Sequence, residues 1–308
     1  MKLGLIGIGK VGSQILNDIQ YLNLFSEIIV IDENNVLANG ETLDHRHAQG
    51  FKNTNNIKIK VGSYNDLTNA DIIVVSASAP MNRNMPDRTA LTKDNITIIK
   101  NIMKNVSSVQ KEALIILVTN PVDAMTYIAF RSSDYPKEKI IGTGTLLETA
   151  RFKTLIADHY NIDPKNVEAF VIGEHGQHAV PVWSKVRIAG MEIEEFEKLY
   201  NKTKINQDYI SNQIDKVSFD VLKSKGWTNI AISKTTIELI KSLVLNERSI
   251  LPVSSVNNLN TLSVSLPTLL SSQGIEKVFG IKVNNAELKN FRNAENFIQK
   301  TINVQNEI

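Results

Sequence analysis

The stretch from Val171 to Pro181, V-I-G-E-H-G-Q-H-A-V-P, holds a histidine in a setting that suits proton transfer. Residues 169–172 are apolar or small and lead into Gly173, which predicts a buried strand ending at a tight turn. His175 follows that turn, and Gly176 lets a ligand approach the backbone closely. A histidine, with an ordinary pKa of about 6.5, can donate and accept a proton at neutral pH. The alternative is a hydrogen-bonded loop histidine with no chemical role.

Charged side chains upstream could bind an anionic ligand or form ordinary ion pairs. Glu148 and Arg151 would lie on the same face of a helix that begins at Thr145. An exposed ion pair of this kind contributes only about 0.3–0.5 kcal/mol to stability. Arg83 and Arg88 lie in the segment 76–88, whose Pro, Asn and Met content predicts an irregular binding loop or lid. Each of these arginines could equally be a solvated surface residue.

Glycines near the start of the chain form a phosphate-binding pattern. The apolar run 2–6 predicts a strand, and Gly7, Gly9 and Gly12 then lead as G-x-G-x-x-G into a helical pattern. In that context the backbone can approach a pyrophosphate at the helix N-terminus. Asp32 ends the second strand, where a carboxylate accepts hydrogen bonds from the ribose hydroxyls of NAD and repels the extra phosphate of NADP. The alternative is an aspartate that caps the following turn.

The side chains above require a sheet to position them. Continuous apolar runs, typical of strands buried on both faces, predict parallel strands at 28–31, 57–61, 72–76, 114–118 and 140–142. The first half is therefore predicted to be an open, doubly wound α/β sheet, with Asn120 at the ligand-binding carboxyl edge. The second half is predicted to contain these elements: a helix to 160, a strand at 182–188, helices at 207–225 and 230–245, strands at 253–256 and 262–265, and a last helix with the apolar stripe Leu288, Phe291, Ile298 and Ile302.

Composition limits the class of protein. The 308 residues carry 34 basic and 32 acidic side chains without a run of one sign, which argues against nucleic-acid binding. No apolar stretch approaches the roughly 20 residues that span a bilayer, and the glycine-broken start is expected to be mature structure, so we expect no membrane association. The chain has no cysteine, which excludes thiolate metal sites and favours a cytoplasmic location.

The motifs, taken in order, resemble the L-lactate and malate dehydrogenase family over essentially the whole chain. They are G-I-G-K-V-G with Asp32, T-N-P-V-D at 119–123, G-T-G-T-L-L-E-T-A-R-F at 142–152, and G-E-H-G around His175. The resemblance is strongest to L-lactate and L-2-hydroxyisocaproate dehydrogenases. It implies a Rossmann NAD-binding domain, residues 1–142, followed by an α+β substrate domain, residues 143–308.

The resemblance also implies roles for individual residues. His175, paired with Glu148, would be the proton donor and acceptor, Arg151 would bind the substrate carboxylate, and Arg88 would polarise the carbonyl. A planar guanidinium suits a carboxylate because it can form two parallel hydrogen bonds. The remaining substrate-binding residues would be Asn120, Asn82 and Thr228. The implied cofactor-binding residues are Gly7, Gly9, Val11, Gly12, Asp32, Asn95 and Asn120, and no metal site is expected.

Departures from the family pattern bear on activity and substrate. Glu148 stands where the family has aspartate, which preserves the carboxylate but adds a methylene. Gln177 and Ser78 replace an acidic residue and a glycine. Asn82 occupies the position where lactate dehydrogenases typically carry Gln and malate dehydrogenases Arg, so a monocarboxylic substrate is expected. A shift of one residue would place Arg83 there and favour malate.

The sequence therefore predicts an NAD-dependent L-2-hydroxy-acid dehydrogenase of L-lactate type, which acts on a small 2-keto or 2-hydroxy acid. The alternatives are a branched-chain L-2-hydroxyisocaproate dehydrogenase, a malate dehydrogenase and a non-catalytic NAD-binding paralogue. The NAD- and metal-dependent glycosidases are disfavoured, because their Cys-Asn-Pro motif is Thr119-Asn120-Pro121 here. The resemblance implies a homodimer or homotetramer, with residues 44–49 near an interface.

Overall fold

The computed structural model describes residues 1–52, 54–80, 88–259 and 261–304, with the backbone alone for 88–90. The strands are β1 (Lys2–Ile6), β2 (Glu27–Ile31), β3 (Lys58–Val61), β4 (Ile72–Val75), β5 (Leu114–Leu117), β6 (Ile140–Gly142), β7 (Val167–Glu168), β8 (Val171–Gly173), β9 (Ala179–Pro181), β10 (Arg187–Ile188), β11 (Met191–Glu192), β12 (Ile250–Val256), β13 (Ser263–Ser271) and β14 (Gly274–Val278). The helices are α1 (Lys10–Ile19), α2 (Asn35–Ala48), α3 (Arg88–Val109), α4 (Val122–Arg131), α5 (Leu146–Tyr160), α6 (Ile193–Tyr200), α7 (Gln207–Lys225), α8 (Ile230–Val244) and α9 (Asn285–Asn303).

The first half is a parallel sheet with the strand order β3-β2-β1-β4-β5-β6. Its central strands are buried on both faces; β4 and β5, for example, consist entirely of buried aliphatic residues. Separate apolar clusters cover the two faces, so helices must lie on both sides of the sheet. The predicted doubly wound α/β sheet is confirmed, and its predicted strands agree with the observed ones to within one residue at each end.

The sheet continues into the second half of the chain. Ser254 of β12 pairs with Gly142 of β6, and β13, β8 and β9 follow in antiparallel order, with β14 on β13. A small sheet, β11-β10-β7, lies apart from it and packs with α5, α6 and α7 around a third apolar cluster. This mixture of antiparallel strands and helices agrees with the predicted α+β second half. The division at residues 142 and 143 stays a prediction.

One predicted strand of the second half is wrong. Residues 182–188 form a 3₁₀ turn, Trp183–Lys185, before the two-residue strand β10. The reason is a distant acceptor: the backbone N–H and the hydroxyl of Ser184 both donate to the carboxylate of Glu287, at 2.9 and 2.7 Å. These donors are therefore not available to a neighbouring strand.

The last helix was predicted correctly, and most of its apolar stripe packs inward. Ile298 and Ile302 are buried in the core and Phe291 packs against it, whereas Leu288 stays exposed. Within the described parts of the chain, no helix combines the length and apolarity needed to cross a membrane.

Candidate active site

The carboxyl edge of the parallel sheet brings together the loops that follow β1, β4 and β5. Asn95 of α3 is buried and links two of them. Its side-chain oxygen accepts the N–H of Ala79 at 2.8 Å, and its side-chain nitrogen donates to the backbone oxygen of Asn120 at 2.8 Å. The predicted contact between Asn95 and the cofactor stays a prediction. What the structure adds is a buried amide that holds Asn120 at this edge.

The glycine loop after β1 is shaped by close backbone contacts. A Cβ on Gly7, whose φ is +92°, would lie 2.3 Å from the nitrogen of Ala77, and a Cβ on Gly12 would lie 2.0 Å from the oxygen of Gly7. Apart from its chain neighbours, no atom of the described residues would lie within 4 Å of a Cβ on Gly9, the N-cap of α1. The loop is therefore tightly packed on the protein side and open at Gly9, as a site for a pyrophosphate at a helix N-terminus requires.

Asp32 is fixed against this loop. One carboxylate oxygen accepts the N–H of Ile8 at 2.8 Å, and the other accepts the N–H of Asn34 at 2.8 Å. The aspartate thus does cap the turn after β2. Since each carboxylate oxygen can accept a further hydrogen bond, this position also leaves acceptors for ribose hydroxyls.

The half-buried His175, in the loop after β8, pairs with the buried Glu148 in the first turn of α5. The His175 Nδ1 lies 3.0 Å from a carboxylate oxygen of Glu148, and the other oxygen lies 3.4 Å from a guanidinium nitrogen of Arg151. The side chains are 16%, 4% and 14% exposed, respectively. With Nδ1 bonded to Glu148, Nε2 is the nitrogen that can face a substrate. The extra methylene of Glu148 is therefore compatible with hydrogen-bond contact.

Two threonines hold this pair in place. The Thr145 hydroxyl, at the start of α5, donates to the backbone oxygen of Val171 at 2.5 Å, and the Val171 N–H donates to the Thr149 hydroxyl at 2.9 Å. The strand that carries His175 is thereby bonded to the helix that carries Glu148. Nothing in the sequence indicated a role for these threonines beyond the helix start at Thr145, although their i, i+4 spacing puts both on one side of α5.

Sequence reasoning also missed two buried acidic residues next to His175. Asp123, in the first turn of α4, accepts the backbone N–H of His175 at 2.7 Å. Glu174 accepts the backbone N–H of His178 at 2.8 Å. Asp123 lies within the T-N-P-V-D motif, but no local spacing links that motif to His175.

The electrostatics of the site favour a charged imidazolium. Burial lowers the pKa of His175, but Glu148, Asp123 and Glu174 outweigh burial and raise it to about 9. Burial raises the pKa of Glu148, and the nearby His175 and Arg151 more than reverse this, so that it lies below its ordinary value. For Glu174, burial dominates and raises the pKa to about 7. The site therefore combines a proton-donating histidine with an ionised carboxylate partner.

Some of the predicted site residues are described only in part or lie outside the described residues. Asn82 and Arg83 lie outside the described residues, and of Arg88 only the backbone is described, as the first residue of α3. Thr228 lies between α7 and α8, next to Trp227. The Trp227 ring lies 5.1 Å from the ammonium group of Lys10, the first residue of α1. The segment between α7 and α8 therefore lies close to the end of the glycine loop.

The described residues contain no group of three or more His, Asp or Glu side chains arranged to hold a metal ion. The open glycine at the N-terminus of α1 and the carboxylate of Asp32 suit a dinucleotide. The buried Glu148 and the half-buried His175 and Arg151 suit proton transfer to a small carboxylic acid.

Comparison with family models covers nearly the whole chain. Residues 1–142 match the lactate/malate dehydrogenase NAD binding domain, and residues 145–308 match the lactate/malate dehydrogenase alpha/beta C-terminal domain.

Similar proteins carry related names. L-lactate dehydrogenase 2 of Clostridium acetobutylicum is 39% identical over 98% of this chain and 96% of its own length. The L-lactate dehydrogenase of Selenomonas ruminantium is 34% identical over the same shares. Among solved structures, a minor L-lactate dehydrogenase from Enterococcus mundtii in a ligands-bound form superposes with a TM-score of 0.92 at 25% identity, covering 98% of this chain and 97% of its own.

Proposed function

The chain belongs to the lactate/malate dehydrogenase family, and we propose that it catalyses the NAD-dependent interconversion of pyruvate and L-lactate. The observation that carries this proposal is the pair of His175 with the buried Glu148, with Arg151 beside it. The three L-lactate dehydrogenases named above support the substrate class.

In the proposed reaction, Arg151 binds the carboxylate of the keto acid. Its guanidinium, in the second turn of α5 and 3.4 Å from Glu148, can form two parallel hydrogen bonds to that carboxylate. This contact places the substrate carbonyl near His175. Fixed orientation of this kind accounts for a large part of the rate of such reactions.

His175 then donates its Nε2 proton to the carbonyl oxygen as the alkoxide forms, and takes it back in the reverse reaction. Glu148 stabilises the imidazolium before the transfer and keeps the ring oriented through Nδ1. NADH, when bound, supplies the hydride. Gly9 and Asp32 are proposed to hold that cofactor at its pyrophosphate and ribose, with Gly7, Val11 and Gly12 shaping the loop.

Asn120, Asn95 and Thr228 are proposed to line the nicotinamide and substrate end, as are Arg88 and Asn82. Asn95 would act by fixing Asn120, since its amide bonds to the Asn120 backbone. The glutamine usual in lactate dehydrogenases is Asn82 here, which keeps the proposed substrate a monocarboxylate.

We also propose a homodimer or homotetramer. Helix α2 exposes Val36 and Leu43, and Phe51 beyond its end is 71% exposed. Exposed apolar side chains in one region are typical of a subunit interface. Light scattering after size exclusion would measure the mass of the assembly. A cytoplasmic location stays a prediction.

The proposed function is tested by NADH oxidation with pyruvate, 2-ketobutyrate, 2-ketoisocaproate, phenylpyruvate and oxaloacetate. We expect the highest kcat/KM with pyruvate. Arg151→Gln should lower kcat/KM by about 100-fold or more, since a charge-assisted bond to the substrate is lost. Lys153→Gln, two positions further along α5, is the matched control and should change it little.

Each alternative predicts a different result in the same assay. A preference for 2-ketoisocaproate would indicate the branched-chain activity, and a preference for oxaloacetate would indicate malate dehydrogenase. Binding of NADH without turnover of any keto acid would contradict the proposal and indicate a non-catalytic paralogue.

A further inference from the structure

Asp123 is a buried carboxylate that the mechanism above does not use. It lies in the first turn of α4 and is 2% exposed. One of its oxygens accepts the backbone N–H of His175 at 2.7 Å, and the other accepts the hydroxyl of Ser265 at 3.3 Å. Burying a carboxylate costs folding free energy unless hydrogen-bond donors surround it. The donors around Asp123 should therefore show why a carboxylate is present at this position.

The direction of these hydrogen bonds shows what Asp123 does. The Thr145 backbone N–H donates to the Ser265 oxygen at 3.2 Å, which leaves the Ser265 hydroxyl hydrogen to point at Asp123. Both carboxylate oxygens therefore face donors. An ionised carboxylate accepts both bonds, and it connects the start of α4, β13 and the start of α5 to the loop of His175.

The loop that carries His175 needs such a restraint. It is flanked by Gly173 and Gly176, whose φ values are +93° and +145°. Glycines in these regions have wide conformational freedom. Glu148 orients the imidazole ring through Nδ1, but a ring bond alone does not fix the backbone from which the ring extends. Asp123 supplies that second anchor, from the half of the chain that contains the glycine loop.

We propose that Asp123 is a positioning residue for His175: its carboxylate holds the histidine's backbone, while Glu148 holds the ring. The reaction whose rate this affects is the one proposed above, so the inference rests on that function. Asp123 is hydrogen-bonded to His175 at the backbone N–H, so it acts on the substrate through the imidazole and does not bind the substrate itself.

The charges around His175 agree with this arrangement. Burial raises the pKa of Asp123 above its ordinary value, and the hydrogen bonds that the carboxylate accepts, first among them that from the His175 backbone, oppose this rise without reversing it. Asp123 in turn adds to Glu148 in raising the pKa of His175. A neutral residue at position 123 should therefore both loosen the backbone contact and make the imidazolium more acidic.

The test compares Asp123→Asn, which keeps an oxygen acceptor, with Asp123→Ala, which removes it. The matched control is Asp134→Asn, the same change at an exposed aspartate beyond the end of α4. We expect Asp123→Ala to lower kcat for pyruvate reduction by about 100-fold, the effect of a displacement of about 1 Å. Asp123→Asn should lose less than about tenfold when measured below the pKa of its histidine, and NADH affinity should stay within about twofold in both.

NMR gives a readout that needs no turnover. Hydrogen exchange at the His175 amide should be slow in the wild type and in Asp123→Asn, and faster in Asp123→Ala. The ring proton titration of His175 should move to lower pH in Asp123→Asn, because a negative charge has been removed. Exchange at this one amide, rather than the titration, separates a positioning role from a general loss of stability.

The outcomes separate the two proposals. Wild-type kcat in a folded Asp123→Ala variant would overturn the positioning role, and so would equal losses in the two variants. If Asp123→Ala does not fold, Asp123→Ser, whose side chain is too short to keep the carboxylate's contacts, is compared in its place, and exchange at the His175 amide as slow as in the wild type would overturn the role. If the wild type turns over no keto acid, the proposed function is rejected. The positioning role is kept in that case if titration and exchange in the variants differ from the wild type as expected.

Discussion

Replacing Glu148 by glutamine should shift the pH range in which keto acids are reduced. Burial lowers the pKa of His175, and the Glu148 carboxylate, 3.0 Å from Nδ1, is the strongest of the groups that outweigh burial and bring it to about 9. The rise from 6.5 to about 9 corresponds to about 3 kcal/mol in favour of the imidazolium. A glutamine oxygen can still accept the Nδ1 hydrogen, so the variant removes charge while largely keeping the ring orientation.

The assay is kcat/KM for pyruvate at saturating NADH as a function of pH. Reduction needs the imidazolium, so the wild-type value should hold up to about pH 9 and then fall tenfold for each further pH unit. In Glu148→Gln the break should move towards about 6.5. At about pH 7.5 only about a tenth of the variant would carry the proton, which predicts about a tenfold lower rate from protonation alone.

Lactate oxidation provides an internal check on the sign. That direction needs the neutral imidazole, so its acid limb should move to lower pH in the same variant. Glu148→Asp is the matched control, since it keeps the carboxylate and should leave the break within about one pH unit of the wild type. If Glu148→Gln lost activity by one factor at every pH and kept its break at about 9, the reasoning would be refuted.

Further predictions concern stability and the cofactor. The pKa of Glu174 rises on folding from 4.5 to about 7, so its contribution to stability is fully present below pH 4.5 and is lost as the pH rises through 7. In urea unfolding, the free energy of unfolding of Glu174→Gln should therefore exceed that of the wild type by up to about 3 kcal/mol at pH 8 and equal it near pH 4. Equal values at both pH would contradict this. Gly9→Ala should fold normally but bind NADH at least about tenfold more weakly by fluorescence titration, since a methyl at the open N-cap faces the pyrophosphate position. Gly12→Ala should instead unfold at lower temperature, because its Cβ would lie 2.0 Å from the Gly7 oxygen; similar melting curves for the two variants would contradict the proposed packing. Asp32→Ser should reduce the preference for NADH over NADPH in kcat/KM, and an unchanged ratio would exclude a role of Asp32 in ribose recognition.

Local sequence patterns were sufficient where local forces decide the structure. The parallel strands of the first half are continuous aliphatic runs, such as Ile72–Val75, that can only be buried on both faces. The start of α5 after Thr145 also followed from sequence, and with it the common face of Glu148 and Arg151. The pairing of Glu148 with His175 came from the resemblance, and the structure brings the two side chains into contact.

Features that depend on distant residues could not be predicted in this way. The segment 182–188 has the apolar content of a strand, yet Ser184 bonds to Glu287, which lies 103 positions further along the chain. Asp123 meets His175 across 52 positions, with no periodicity to reveal the contact. Residues 81–87, which contain Asn82 and Arg83, lie outside the described structure, so the prediction of substrate choice from this loop rests on sequence.

The pairing of Gly142 with Ser254 has a consequence for how the molecule can be divided. A fragment ending at residue 142 would leave β6 as an edge strand, with unpaired backbone groups beside the apolar side chains of Ile140 and Ile141. The unpaired backbone groups of such an edge can pair with the same edge of another copy. The NAD-binding half is therefore expected to aggregate when expressed alone, and the intact chain to melt in one cooperative step, with the second half serving as the cover that keeps the first half from pairing with its own copies.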